Sequence, residues 1–206
     1  MLTIFLDFQH PVLLITKSCL VEHDIDLLAE LSAAQSCLVS VSVTTLDASL
    51  KRILEPRAAS GRALVETIRK RADAATPVTV MAAPMIPKIK DHGLEDTFGA
   101  AREAGARICG YIMLQLPMEV APLFKTWLLQ HFSERANHVM SIVQQSRAGR
   151  DYVSTLHQRM RGSGLFFDLL KQRFELISRR LSFENDDRWE HDCSCFRADG
   201  PHISLF

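Results

Sequence analysis

Four continuous or alternating apolar runs, each followed by a stretch with helical spacing, set the plan of this chain. Val12-Leu13-Leu14-Ile15 is an unbroken β-favouring run, so 11–16 reads as a buried strand. Over 37–44, Val39, Val41 and Val43 alternate with Ser40 and Ser42, which places both serines on one face of a second strand. Residues 78–82 after Pro77 and 107–114 supply the third and fourth strands. Between them, Leu27, Leu28 and Leu31 predict a helix over 24–33, and Asp47 caps a short helix over 48–54 that Pro56 ends. Ser60 caps a helix striped by Leu64, Val65, Ile68 and Ala72, and Leu94, Phe98 and Ala101 mark another that Gly105 stops. Helix follows strand at every step, so the strands are expected to be parallel with right-handed crossovers.

After Pro117 the spacing is helical throughout, with expected helices over 120–131, 133–146 and 165–181. Trp127 with Phe124 and Leu128, and Phe174 with Leu170 and Ile177, read as core stripes against the sheet. Three regions follow: an α/β unit over 1–117, a helical extension over 118–183, and an acidic tail over 184–206.

Each strand ends in a polar or proline-marked signature, at Ile15-Thr16-Lys17-Ser18, 41–47, 83–87, and 110–117. In parallel α/β sheets ligands bind at the strands' C-terminal ends, where loops and helix N-termini converge. Candidate chemistry therefore belongs at these four places.

Composition changes this picture little. The 206 residues suffice for one sizeable core, and 24 basic side chains balance 24 acidic ones, so net charge argues for neither nucleic acid nor membrane. Charge is uneven locally: Arg147 to Arg180 holds eight basic and three acidic residues, whereas Glu184 to Asp199 holds six acidic and two basic. A solvated helix face accounts for the basic stretch, and a phosphate-facing surface is the sharper alternative. The N-terminal segment has no signal-peptide pattern and no apolar run spans a bilayer, so a cytoplasmic protein without membrane contact is expected. Five cysteines, Cys19, Cys37, Cys109, Cys193 and Cys195, suit reduced thiols; Cys-x-Cys is tighter than the usual zinc hook.

Taken in order, several signatures are jointly specific: Thr16-Lys17-Ser18, Asp24-Ile25-Asp26-Leu27-Leu28, Ser42-Val43-Thr44-Thr45-Leu46-Asp47, Glu55-Pro56-Arg57-Ala58, Ala83-Pro84-Met85-Ile86-Pro87, Asp91-His92, and Gly110-Tyr111 with Leu116-Pro117. With Asp151-Tyr152, Arg159-Met160-Arg161-Gly162, Arg173-Phe174 and Ser204-Leu205-Phe206, they resemble the radical S-adenosylmethionine proteins related to spore photoproduct lyase, the DNA repair photolyase-like family. The resemblance implies a partial (β/α) barrel of four parallel strands followed by a helical C-terminal extension. It also implies a 4Fe-4S cluster on a Cys-x3-Cys-x2-Cys loop, and S-adenosylmethionine at the strand ends, cleaved to a 5′-deoxyadenosyl radical. No such cysteine triplet occurs here, and the likeness begins late in the family's second helix. The expectation is that the first two strands and the cluster loop are not encoded in this chain and that a missing segment or companion polypeptide would supply them. The family has arginine where this chain has Gln115, and glycine and glutamate where it has Lys88 and Gly93.

By this resemblance Lys17 lies near the cosubstrate's methionyl group, Ser42 in its pocket, and the Ala83 backbone against adenine. Without it, Lys17 is a solvated strand end, Ser42 a hydroxyl bonded within the sheet, and Ala83 loop geometry. Glu55 and Arg57 are a candidate ion pair, and Asp91 a candidate helix cap beside an exposed His92. A binding module associating with nucleic acid through Arg147 to Arg180, and a degenerate remnant with an open edge at 11–16, stand as alternatives to the radical enzyme.

Overall fold

Val12–Thr16 (β1), Cys37–Ser42 (β2), Val78–Met85 (β3) and Ile108–Met113 (β4) pair side by side, all parallel, in the order β1-β2-β3-β4. The computed structural model describes residues 1–34, 36–146 and 164–184, together with Ser194 and Phe196. Around the sheet stand Leu2–Asp7 (α1), Ile25–Ala33 (α2), Ala48–Leu54 (α3), Gly61–Asp73 (α4), Leu94–Glu103 (α5), Val120–His131 (α6), Ser133–Gln145 (α7) and Leu165–Arg180 (α8). The expected α/β class with four parallel strands is observed, with element bounds within a few residues of the periodicity.

The alternation along β2 sorts the sheet into two unlike faces. Val39 and Val41, Val80 and Ala82, and Cys109 share one face and are buried with Leu28 and Leu31 of α2, Leu64 and Ile68 of α4, and Leu94, Phe98 and Ala101 of α5. Phe98 meets Phe174 of α8 and Phe183 edge-on, and Tyr111 meets Phe174 likewise. Phe183 is thus a core anchor at the head of the acidic tail. On the opposite face, Ser40 lies beside Thr79 and Ser42 beside Met81. Ser40, Ser42 and Thr79 are buried, and the hydroxyls of Ser40 and Thr79 have no hydrogen-bond partner.

A second apolar cluster lies beyond the strand ends, where Leu50, Ile86, Ile89, Leu114 and Leu116 pack with Leu128 of α6 and Val139 of α7. Trp127 stacks on Phe124 here and donates from Nε1 to the Ile53 carbonyl at 3.3 Å. The Trp127 stripe therefore covers the strand-end loops, while the Phe174 stripe packs with the sheet's core.

Both expected caps form. Asp47 accepts from the backbone N–H of Ser49 and Leu50, and Ser60 from that of Ala63. Asp91 is no helix cap: it lies in a 3-10 turn over Asp91–Gly93, and Gly93 precedes α5. β3 runs three residues past its expected end. Pro84 lacks a ladder donor, and the pairing accommodates it through a register shift between Ala82 and Met85. Gly61 opens α4 against β2's exit loop so closely that a Cβ would sit 2.2 Å from the Thr45 carbonyl oxygen. That contact sets how near α4 comes to the strand ends.

Candidate functional site

Three strand ends meet in one hydrogen-bonded cluster centred on Glu55, the residue that terminates α3. Lys17, just past β1, bonds its Oε1; Lys51, one turn back on α3, bonds Oε2 at 2.6 Å. Thr44, two residues beyond β2, donates to Oε2 at 2.6 Å, and its hydroxyl lies 3.4 Å from the Ala83 carbonyl on β3. The strand-end lysine and the Ala83 backbone, picked from sequence, thus belong to one network. Ser42 ends β2 two residues before Thr44, buried on the serine face.

Glu55 pairs with Lys17 and Lys51, not with Arg57. The physical reason is helical spacing: Lys51 at i−4 shares a helix face with Glu55, whereas Arg57 lies beyond Pro56, where the helix has ended. Burial pushes the Glu55 carboxyl up, but hydrogen bonds from Lys17, Lys51 and Thr44 outweigh it and bring the carboxyl down to about 2.

A third lysine completes the cluster. Lys90 is 4% exposed, and its ammonium has no hydrogen-bond partner. Burial brings it down to about 7; Lys17 and Lys51 push the same way and Glu55 opposes them. Its segment is held on two sides: Arg135 of α7 donates to the Lys88 carbonyl at 3.3 Å, and Arg173 of α8 donates to the Asp91 carbonyl at 3.1 Å. Lys90's own N–H bonds the Ile86 carbonyl. The site thus holds three lysines around one carboxylate, open to solvent on the Lys17 side, where that side chain is 39% exposed.

Sequence reasoning singled out Lys17, Ser42, Ala83 and Glu55 but missed Thr44 as a hinge of the network, and missed Lys51 and Lys90. The i,i+4 spacing of Lys51 and Glu55 was an available signal. Lys90 had none, since the turn that carries it is held by helices more than forty residues downstream.

The described cysteines do not fit an iron–sulfur cluster. Cys37 and Cys109 are buried on the helix-covered face, and burial pushes the Cys37 thiol up, against a Ser32 hydrogen bond and the nearby Arg71. Among the described residues no three His, Cys, Asp or Glu side chains are placed to hold a metal ion. Cys193 and Cys195 lie outside the described residues, as does 147–163 of the basic stretch. Within its described part, Arg173 is committed to Glu95. No described helix is long and apolar enough to cross a membrane.

No protein-family model matches the chain. An uncharacterized protein of Acidianus two-tailed virus is 36% identical over 83 residues, 39% of this chain and 27% of the viral protein. Uncharacterized proteins of Mycobacterium bovis and Mycobacterium tuberculosis are 29% identical over 126 residues, 60% of this chain and 37% of theirs. The chain thus spans about a quarter to just over a third of the length of the curated relatives it matches.

Proposed function

We propose that this chain is the cosubstrate-cradling part of a radical S-adenosylmethionine protein resembling the spore photoproduct lyase and DNA repair photolyase-like group, with the strand ends as its ligand site. The observation carrying this reading is that Lys17 and the Ala83 backbone, named by the resemblance, lie in one hydrogen-bonded network at the same end of a parallel sheet. Ser42 closes the strand beside them. Strand order supports the barrel part of the reading. Sequential neighbours with helices α2, α4 and α5 on one face follow the winding of a (β/α) barrel, whereas a doubly wound sheet reverses its order midway.

In this reading the sulfonium cosubstrate brings the capacity to form a carbon radical once an electron is delivered. The chain's own part is binding: Lys17 offers an ammonium to a carboxylate, Ser42 a hydroxyl, and Ala83 a backbone edge without side-chain obstruction. The described cysteines do not fit a cluster, so in this reading the cluster thiolates come from outside the described residues. The edge position of β1, with Leu13 and Ile15 largely exposed, is a natural place for further strands to pair.

The test is anaerobic titration of S-adenosylmethionine into the chain, followed by reconstitution with iron and sulfide. Saturable binding that Lys17→Met weakens at least tenfold, with no stable cluster formed, is expected. Absence of binding at millimolar cosubstrate, or binding indifferent to Lys17, would sink the reading.

A further inference from the structure

The Glu55 cluster is electrostatically incomplete. Its carboxylate already accepts from Lys17, Lys51 and Thr44, which leaves the Lys90 ammonium sharing the space without a partner of its own. Unpartnered buried polar groups are uncommon because each forgoes hydration for nothing, and an unpartnered buried cation is costlier still. A buried amine within electrostatic reach of the Glu55 cluster, on a turn pinned to α7 and α8, is a persistent feature of the fold rather than a side chain that can swing away to water.

We propose that Lys90, with Lys17 and Lys51, forms a receptor for the anionic group of a small ligand, a carboxylate or a phosphate. An incoming anion would supply the acceptor that Lys90 lacks and offset the mutual repulsion of three ammonium groups around one carboxylate. The charged groups facing Lys90 are Lys17 from the end of β1, and Lys51 and Glu55 from α3. Since burial and these lysines favour the neutral amine, an arriving anion restores the proton, so binding takes up a proton above neutral pH. Entry is from the Lys17 side, where the cluster is partly open. This inference rests on the placement of the lysines and not on the choice of cosubstrate.

Two probes, inorganic phosphate and acetate, are titrated separately by calorimetry at pH 8 in two buffers of different ionisation heat. At least one should bind, with proton uptake approaching one per site. Preference for acetate marks a carboxylate receptor, and preference for phosphate a phosphate receptor. Lys90→Met should weaken the bound probe at least tenfold and abolish the proton uptake, Lys90→Gln should do the same, and Lys171→Met on the far side of α8 should change neither. Binding unaltered in both Lys90 variants, or no binding of either anion, overturns the proposal. S-adenosylmethionine as a third titrant separates the two ideas: anion binding without cosubstrate binding retains the receptor and rejects the cosubstrate. Cosubstrate binding untouched by Lys90→Met does the reverse.

Discussion

Glu95 and Glu55 both close tertiary contacts in this molecule, and they do so in opposite ways. Glu95 on α5 takes a bidentate grip from Arg173 on α8, with Nη2 at 2.7 and 2.9 Å and Nε at 3.1 Å, a balanced pair of one anion and one cation, each partly exposed. Glu55 instead takes two lysines and a threonine hydroxyl, with a third lysine buried nearby and unpartnered. The first arrangement is what a fold needs to fasten a helix. The second carries more positive charge than its own acid can match, which a fold alone does not require.

Removing the hub should have the largest effect. Glu55→Gln leaves Lys17 and Lys51 facing each other and Lys90, and should cost about 2–3 kcal/mol in denaturant unfolding at pH 7. The pH dependence carries a definite sign. Because the folded Glu55 carboxyl sits at about 2 against an ordinary 4.5, its contribution is complete above 4.5 and drains away as pH falls toward 2. The Glu55→Gln variant should lack that acid slope, and an unchanged slope would show that Glu55 is not the hub.

Next comes the unpartnered cation. Lys90→Met should stabilise the ligand-free chain by roughly 1–3 kcal/mol at pH 6, the opposite sign to the Glu55 change. Between about 7 and 10.5 the unfolded chain holds a proton on Lys90 that the folded chain does not, so wild-type stability should rise with pH across that window. Lys90→Met should remove this rise; destabilisation instead would mean that the ammonium has a partner. Breaking the balanced pair is gentler. Arg173→Ala should cost about 0.5–1 kcal/mol, shrinking with added salt.

The smallest change tests the loop that carries Lys90. Lys88 has φ +61°, a left-handed conformation that glycine adopts freely and lysine does not. Lys88→Gly should therefore stabilise by up to about 1 kcal/mol in thermal unfolding, and a loss would show that the Lys88 side chain contributes more than its backbone strain costs.

The sheet was legible from the chain because its signals are local. Val39, Val41 and Val43 against Ser40 and Ser42 dictate one face, and Asp47 and Ser60 cap helices through contacts within three residues. Lys17 and Ala83 were legible as strand-end positions because parallel strands put their exits together. What escaped notice was three-dimensional. Lys90 lies on a turn whose neighbouring carbonyls are held by α7 and α8, and Glu55 chose Lys51 over the nearer Arg57 because a helix face, not chain proximity, decides who meets. Pro84 hid the last residues of β3 because its missing donor reads as a strand terminator, which the register shift circumvents.

The C-terminal ends of the strands are proposed to form a ligand cradle. Amide chemical-shift mapping of the labelled chain during titration with S-adenosylmethionine, and separately with phosphate, addresses it most directly. Saturable shifts should gather at Lys17, Ser42 to Thr45, Ala83 and Ile89 to Asp91, with Lys171 and the rest of α8's outer surface silent. Shifts scattered over α5 and α8, or none at saturating concentrations of both, would contradict it.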